Sequence, residues 1–209
     1  PKPELATQAN AAAIPLVDFT PYIADPDEEF WAYGASWKVM ESIVDKVGAQ
    51  AMIEIIDAAE RGEYSYLGDG EPETTRITPG TRRFLDLIEN TPGVEHDSVT
   101  DLFNNWVFGQ DDPSAEVDRV ALTERPEART RYFDLVDRGD GWAAPVGIRA
   151  AMTFWRFDEA NDLMAEAEDA ITRKEELIEL TRPVEAELPV KLEQLYEAAD
   201  DDYGQFTTA

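Results

Sequence analysis

A chain of 209 residues with 43% hydrophobic side chains can bury the core of one good-sized domain, or one and a half. Its formal net charge is −27, from 45 acidic residues against 18 basic ones, which argues against a nucleic-acid partner, because phosphate binding needs a basic stripe. With no cysteine it has no disulfide and no thiolate metal site, and no run of 18 apolar residues offers a membrane span.

In chain order, residues 1–26 carry prolines at Pro1, Pro3, Pro15, Pro21 and Pro26. They read as an extended connector from an upstream region, with a short helix possible over Ala6–Ile14 and buried aromatics over Leu16–Ile23. Phe30–Gly48 (FWAYGASWKVMESIVDKVG) places apolar residues close to the 3.6 period of a helix with a wide buried face, Trp31 and Trp37 included. Asp27, Glu28 and Glu29 suit its N-terminus, and Gly48 stops it. Gly34 inside this helix costs roughly 1 kcal/mol against alanine, which a close approach by another backbone or a ligand would justify. Ala49–Arg61 follows with almost no loop, so the two helices should pair antiparallel.

Glu63–Thr78 is rich in Gly, Pro, Thr and acid and reads as a surface loop. Thr78 and Pro79 then open a helix to Asn90. Val99–Phe108 is the next helix, capped by Asp97 or Ser98 and closed by Gly109. Residues 114–138 read as helix, broken or restarted near Arg125-Pro126. Pro145–Phe157, Asp158–Leu180 and Leu188 to about Ala199 complete the set, and residues 201–209 read as a frayed tail. The expectation is an all-α fold, a helical bundle or α-solenoid-like array of antiparallel pairs, with one helical domain over 27–200.

The charge is spread along the whole chain rather than gathered in a tail. Lysines are only Lys2, Lys38, Lys46, Lys174 and Lys191, and the densest basic run, Arg125, Arg129 and Arg131, is diluted by Glu124 and Glu127. Acid-rich, lysine-poor and still aromatic, the composition suggests adaptation to high salt, where a Debye length of about 3 Å at 1 M screens self-repulsion. The other reading is an acidic protein with a basic partner, although such proteins usually gather charge on one face. Zinc hydrolysis needs paired histidines at helical spacing, and the single histidine, His96, sits in a polar turn where a surface or capping role fits better. No nucleophile elbow and no glycine-rich phosphate loop occurs, so no catalytic, cofactor-binding or metal-ligating set is assigned within the chain.

Trp31-Ala-Tyr33-Gly34, then Ile43-Val-Asp-Lys-Val47-Gly48, then Phe84-Leu85, then Leu102-Phe103-Asn-Asn-Trp106 with Gly109, and last Trp155-Arg-Phe157-Asp158-Glu-Ala160 form an ordered set. Over residues 27–200 that set resembles the region just downstream of the zinc site in aminopeptidase-N-type gluzincin metallopeptidases. No single motif is specific; the order and spacing carry the likeness. The resemblance implies that the zinc-binding helix lies upstream of Pro1, that any zinc sits there, and that this chain is a fragment forming the helical C-terminal part of the parent. In that family the tyrosine of a Tyr-x-x-Gly motif stabilises the tetrahedral intermediate. Matched by position, it falls on Trp31, whose indole donates one hydrogen bond but lacks phenol acidity. Tyr33 is about 200° further round the helix. Either the parent is a pseudopeptidase or Tyr33 or Tyr22 substitutes. The bland reading of Trp31 is a core aromatic.

Two functions are therefore expected. One is a non-catalytic helical domain that covers or shapes access to an upstream zinc site, in a secreted or outer-face protein of a halophilic, archaeal-type organism, with the parent's catalytic-like domain as its partner. The other is a scaffold that binds a protein or peptide, with no catalysis anywhere in the parent. A cytoplasmic location fits the composition as well.

Overall fold

The computed structural model describes residues 14–21, 25–76, 80–95, 98–109, 116–184 and 188–200. Among them the fold is all-α, with eight α-helices and no strand. Residues 6–13 of the expected first helix, Tyr22, the opening at Thr78-Pro79, His96, Asp97 and the tail over 201–209 lie outside the described residues. The chain divides into two compact units, Pro1–Glu63 with Arg76–Thr123 and Tyr64–Thr75 with Glu124–Ala209. The division falls inside one helix, α5.

The first unit is built on α1 (Pro26–Val47), α2 (Ala49–Arg61) and α3 (Thr81–Glu89). α1 begins a turn earlier than its apolar pattern does, because Asp25 and Glu28 form a capping box with Pro26 in the first turn. Asp25 accepts from the Asp27 amide at 2.9 Å. Gly48, at φ 83°, is the one residue between α1 and α2, and it suits a conformation that side chains disfavour. The inner face of α1 buries Trp31, Ala32, Gly34, Ala35, Val39 and Ile43. The expected buried face is narrower than its apolar residues suggest: Phe30 and Trp37 are exposed.

α3 is amphipathic in an unusual way, burying Arg83, Asp86 and Glu89 beside Leu85 and Ile88. Arg83 donates to the Ala59 carbonyl of α2 at 2.9 Å. The Glu89 carboxylate accepts from the Val99 amide at 3.0 Å and the Thr100 hydroxyl at 3.1 Å, so a side chain of α3 caps the next helix. That helix, α4 (Thr100–Leu102), passes at once into a π-helical turn, Phe103–Phe108, rather than the expected α-helix through Phe108. The widened turn leaves carbonyls at its end, and the connector takes them: the Leu16 and Val17 amides donate to Trp106 and Val107 at 3.1 and 3.0 Å. The first part of α5 (Glu116–Gly139) adds Asp118, held by Arg82 at 2.6 Å.

The second unit contains the rest of α5, α6 (Val146–Thr153), α7 (Phe157–Thr181) and α8 (Val190–Glu197). α5 runs straight through Pro126, against the expected break. Pro126 is exposed, while Ala128, Tyr132 and Leu135 stay buried on the helix face below it, and that packing outweighs the lost amide hydrogen bond. α6 is the buried centre of this unit, with Gly147–Thr153 all buried. α7 lays Phe157, Ala160, Met164, Ala167, Ala170, Ile171 and Lys174 along one face at helical spacing. Arg131 of α5 grips Glu168 of α7 through two hydrogen bonds, 2.8 and 3.1 Å.

The expected surface loop over Glu63–Thr78 is not at the surface throughout. Ser65 and Tyr66 are buried. The Tyr66 ring meets the Tyr132 ring edge-on at 4.9 Å, and the Ser65 amide donates to Thr153 Oγ1 at 3.2 Å. Arg149 of α6 donates to Glu73 of this loop and to the Ala144 carbonyl. Gly68 lies flat on that guanidinium: an added Cβ would stand 2.9 Å from Arg149 Cζ.

Candidate functional site

The residues singled out in the sequence gather on α1. Trp31 is 4% exposed. Its indole stacks on Trp106 of the π-helical turn, centroids 6.0 Å apart and planes 13° apart. Lys38, two turns along α1, puts Nζ 5.1 Å from the centre of the Trp106 ring, so Trp106 lies in contact with both Trp31 and a cation. Ile14, Leu16 and Phe19 of the connector close over Trp31, Ala32 and Ala35. Two segments of the ordered set, Trp31–Gly34 and Leu102–Trp106, are thus in contact.

Tyr33 lies on a different face from Trp31, 43% exposed, with its ring edge-on to Phe19 at 5.4 Å. Phe30 is 49% and Trp37 62% exposed. Phe30, Tyr33 and Trp37 are spaced i, i+3 and i+7, so they line one stripe of the helix. The expectation that Trp37 and Phe30 join the core fails because period alone marks apolar residues, not which of two apolar stripes is covered. The separate signal was present: acids Asp27, Glu29, Glu41 and Asp45 flank that stripe.

The arginines of the densest basic run are used internally. Arg125 and Arg129 are buried, over the Trp155 ring at 5.7 Å and the Phe133 ring at 5.9 Å. Hydrogen bonds from Arg131 hold the Glu168 carboxyl below the usual carboxylate range. Burial pushes the Tyr132 and Tyr196 phenols up and the Arg83 guanidinium down. Lys174 of α7 is buried, donates to the Gly139 carbonyl at the end of α5 and lies 4.3 Å over the Trp142 ring. Burial lowers its ammonium below the usual lysine range.

Among the described residues no cluster of three or more His, Cys, Asp or Glu could hold a metal ion, and no helix is long and apolar enough to cross a membrane. What the α1 surface offers chemically is aromatic area and fixed negative charge. Compared with protein-family models, curated proteins and solved structures, the chain matches none.

Proposed function

We propose that the chain is a non-catalytic helical domain of a gluzincin-like protein, covering or shaping access to a zinc site that lies upstream of residue 1. The observation that carries this reading is the packing of Trp31 on Trp106, which joins the two most recognisable segments of the ordered set. Buried in that stack, Trp31 has the surroundings of a structural aromatic, which fits a domain that supports chemistry performed elsewhere. Under this reading the domain works in high salt, on a secreted or outer-face archaeal-type protein, and its acidic surface is the solvation layer such conditions require. The coding sequence upstream of residue 1 tests it: a His-Glu-x-x-His motif with a later Glu supports the reading, and an upstream region without them removes it.

A second reading is favoured by one specific feature. The exposed stripe of Phe30, Tyr33 and Trp37 is the kind of surface on which a binding scaffold holds a protein or peptide. Under it, no part of the parent is catalytic.

A further inference from the structure

Large aromatic side chains are costly to leave in water, and three of them on one helical stripe make a contiguous apolar surface. On α1 that stripe has Phe30 at 49% and Trp37 at 62% exposure, with Tyr33 between them. It lies opposite the face that buries Trp31, Ala35, Val39 and Ile43. Helical geometry sets Asp27, Glu41 and Asp45 along one flank of the stripe and Glu29 along the other. Lys38, the cation nearest in sequence, is directed to the Trp106 ring. An apolar strip between acidic rails is the result.

That charge pattern selects among the surfaces that could cover it. A second copy would bring acid against acid, on a chain already at −27. An anionic bilayer would be repelled in the same way. We propose that the outer face of α1 is a docking surface for a basic amphipathic helix of a partner protein. Apolar residues of that helix would cover Phe30, Tyr33 and Trp37, and its Lys or Arg side chains would meet Glu29 and Glu41. Aromatic anchors of this kind carry a large share of binding energy, and paired charges at the rim set orientation and association rate. The inference deepens the second reading above by naming the partner's chemistry. It would survive a zinc motif upstream, which would remove only the non-catalytic parent.

The test uses the whole 209-residue chain and a fluorescent leucine–lysine peptide patterned as an amphipathic helix of about five turns. Anisotropy is read at the lowest salt in which circular dichroism shows the chain folded. Saturable one-to-one binding is expected, weakened about tenfold or more by Trp37→Ser and left unchanged by Leu180→Ser, an exposed apolar residue on α7. A leucine–glutamate peptide of the same pattern should not bind. Phe30→Ser replaces Trp37→Ser if the latter does not fold. Absence of peptide binding, equal binding by the Trp37→Ser chain, or equal binding of the glutamate peptide would overturn the proposal. So would self-association abolished by Trp37→Ser, or preference for phosphatidylglycerol vesicles over the peptide.

Discussion

Gly147 is fixed by contact rather than by conformation. A Cβ there would stand 1.8 Å from the Asp200 carbonyl oxygen, and the Gly147 amide already donates to the Ala199 carbonyl at 3.0 Å. Backbone meets backbone, so the strain of an added methyl cannot be relieved by a rotamer change. Gly147→Ala should therefore destabilise the chain by roughly 1–3 kcal/mol and loosen α8, seen as faster amide exchange over Val190–Glu197. Unchanged exchange and an unchanged denaturant midpoint would show that the segment after α8 does not press on α6 as described. Nothing in the sequence around Gly147 announces this, because its partner lies more than fifty residues away. Gly34 was different: its helical surroundings flagged it, and it is buried.

At the scale of elements, the helices were legible where period and stop signals agree. Ala49–Arg61 coincides with its sequence reading because Gly48 and Gly62 bracket one apolar stripe. The π-helical turn was not legible, since FNNWVF has no signal that separates i→i+5 from i→i+4 bonding. The cap on α4 was missed for a similar reason: Glu89 acts from another helix, and the sequence shows only neighbours. The loop over 64–75 misled because glycine and acid suggested solvent, whereas Tyr66 anchors it on Tyr132. Pro126 misled by the general rule for prolines inside helices. Restoring the amide should make Pro126→Ala more stable by about 1–2 kcal/mol, after a partly offsetting gain in unfolded-chain entropy. A denaturant melt showing loss of stability would mean that α5 depends on the proline's geometry.

The end of α5 carries a pH dependence. Lys174 donates to Gly139 from a buried position, and its folded-state pKa lies below the ordinary lysine value. Below that lowered value both folded and unfolded chains hold the proton, and the burial penalty on the ammonium is present in full. As pH rises through the lowered value towards about 10.4, the unfolded chain binds more protons than the folded one, so the stability contributed by Lys174 increases. Comparing the chain with Lys174→Met in denaturant melts from neutral to alkaline pH should show the difference shifting in favour of lysine over that window. A difference independent of pH would mean that burial does not depress the lysine.

For the whole molecule, the net charge is −27, and self-repulsion of that kind weakens as salt screens it. The melting temperature should rise strongly from about 0.1 M to molar potassium chloride, as the Debye length falls from about 10 to about 3 Å. A flat profile would set aside the high-salt reading. Fold class was legible at this scale because eight separate stretches show helical period. The candidate site was only half legible, since Trp31 could be named but its partner Trp106 lies on a distant turn. Zinc content decides the gluzincin reading, measured on the full gene product and on residues 1–209 alone. If the gluzincin reading holds, protein extended upstream of residue 1 carries one zinc per chain, and residues 1–209 alone hold none tightly. A longer protein without zinc, or a tight stoichiometric site within residues 1–209, would contradict it.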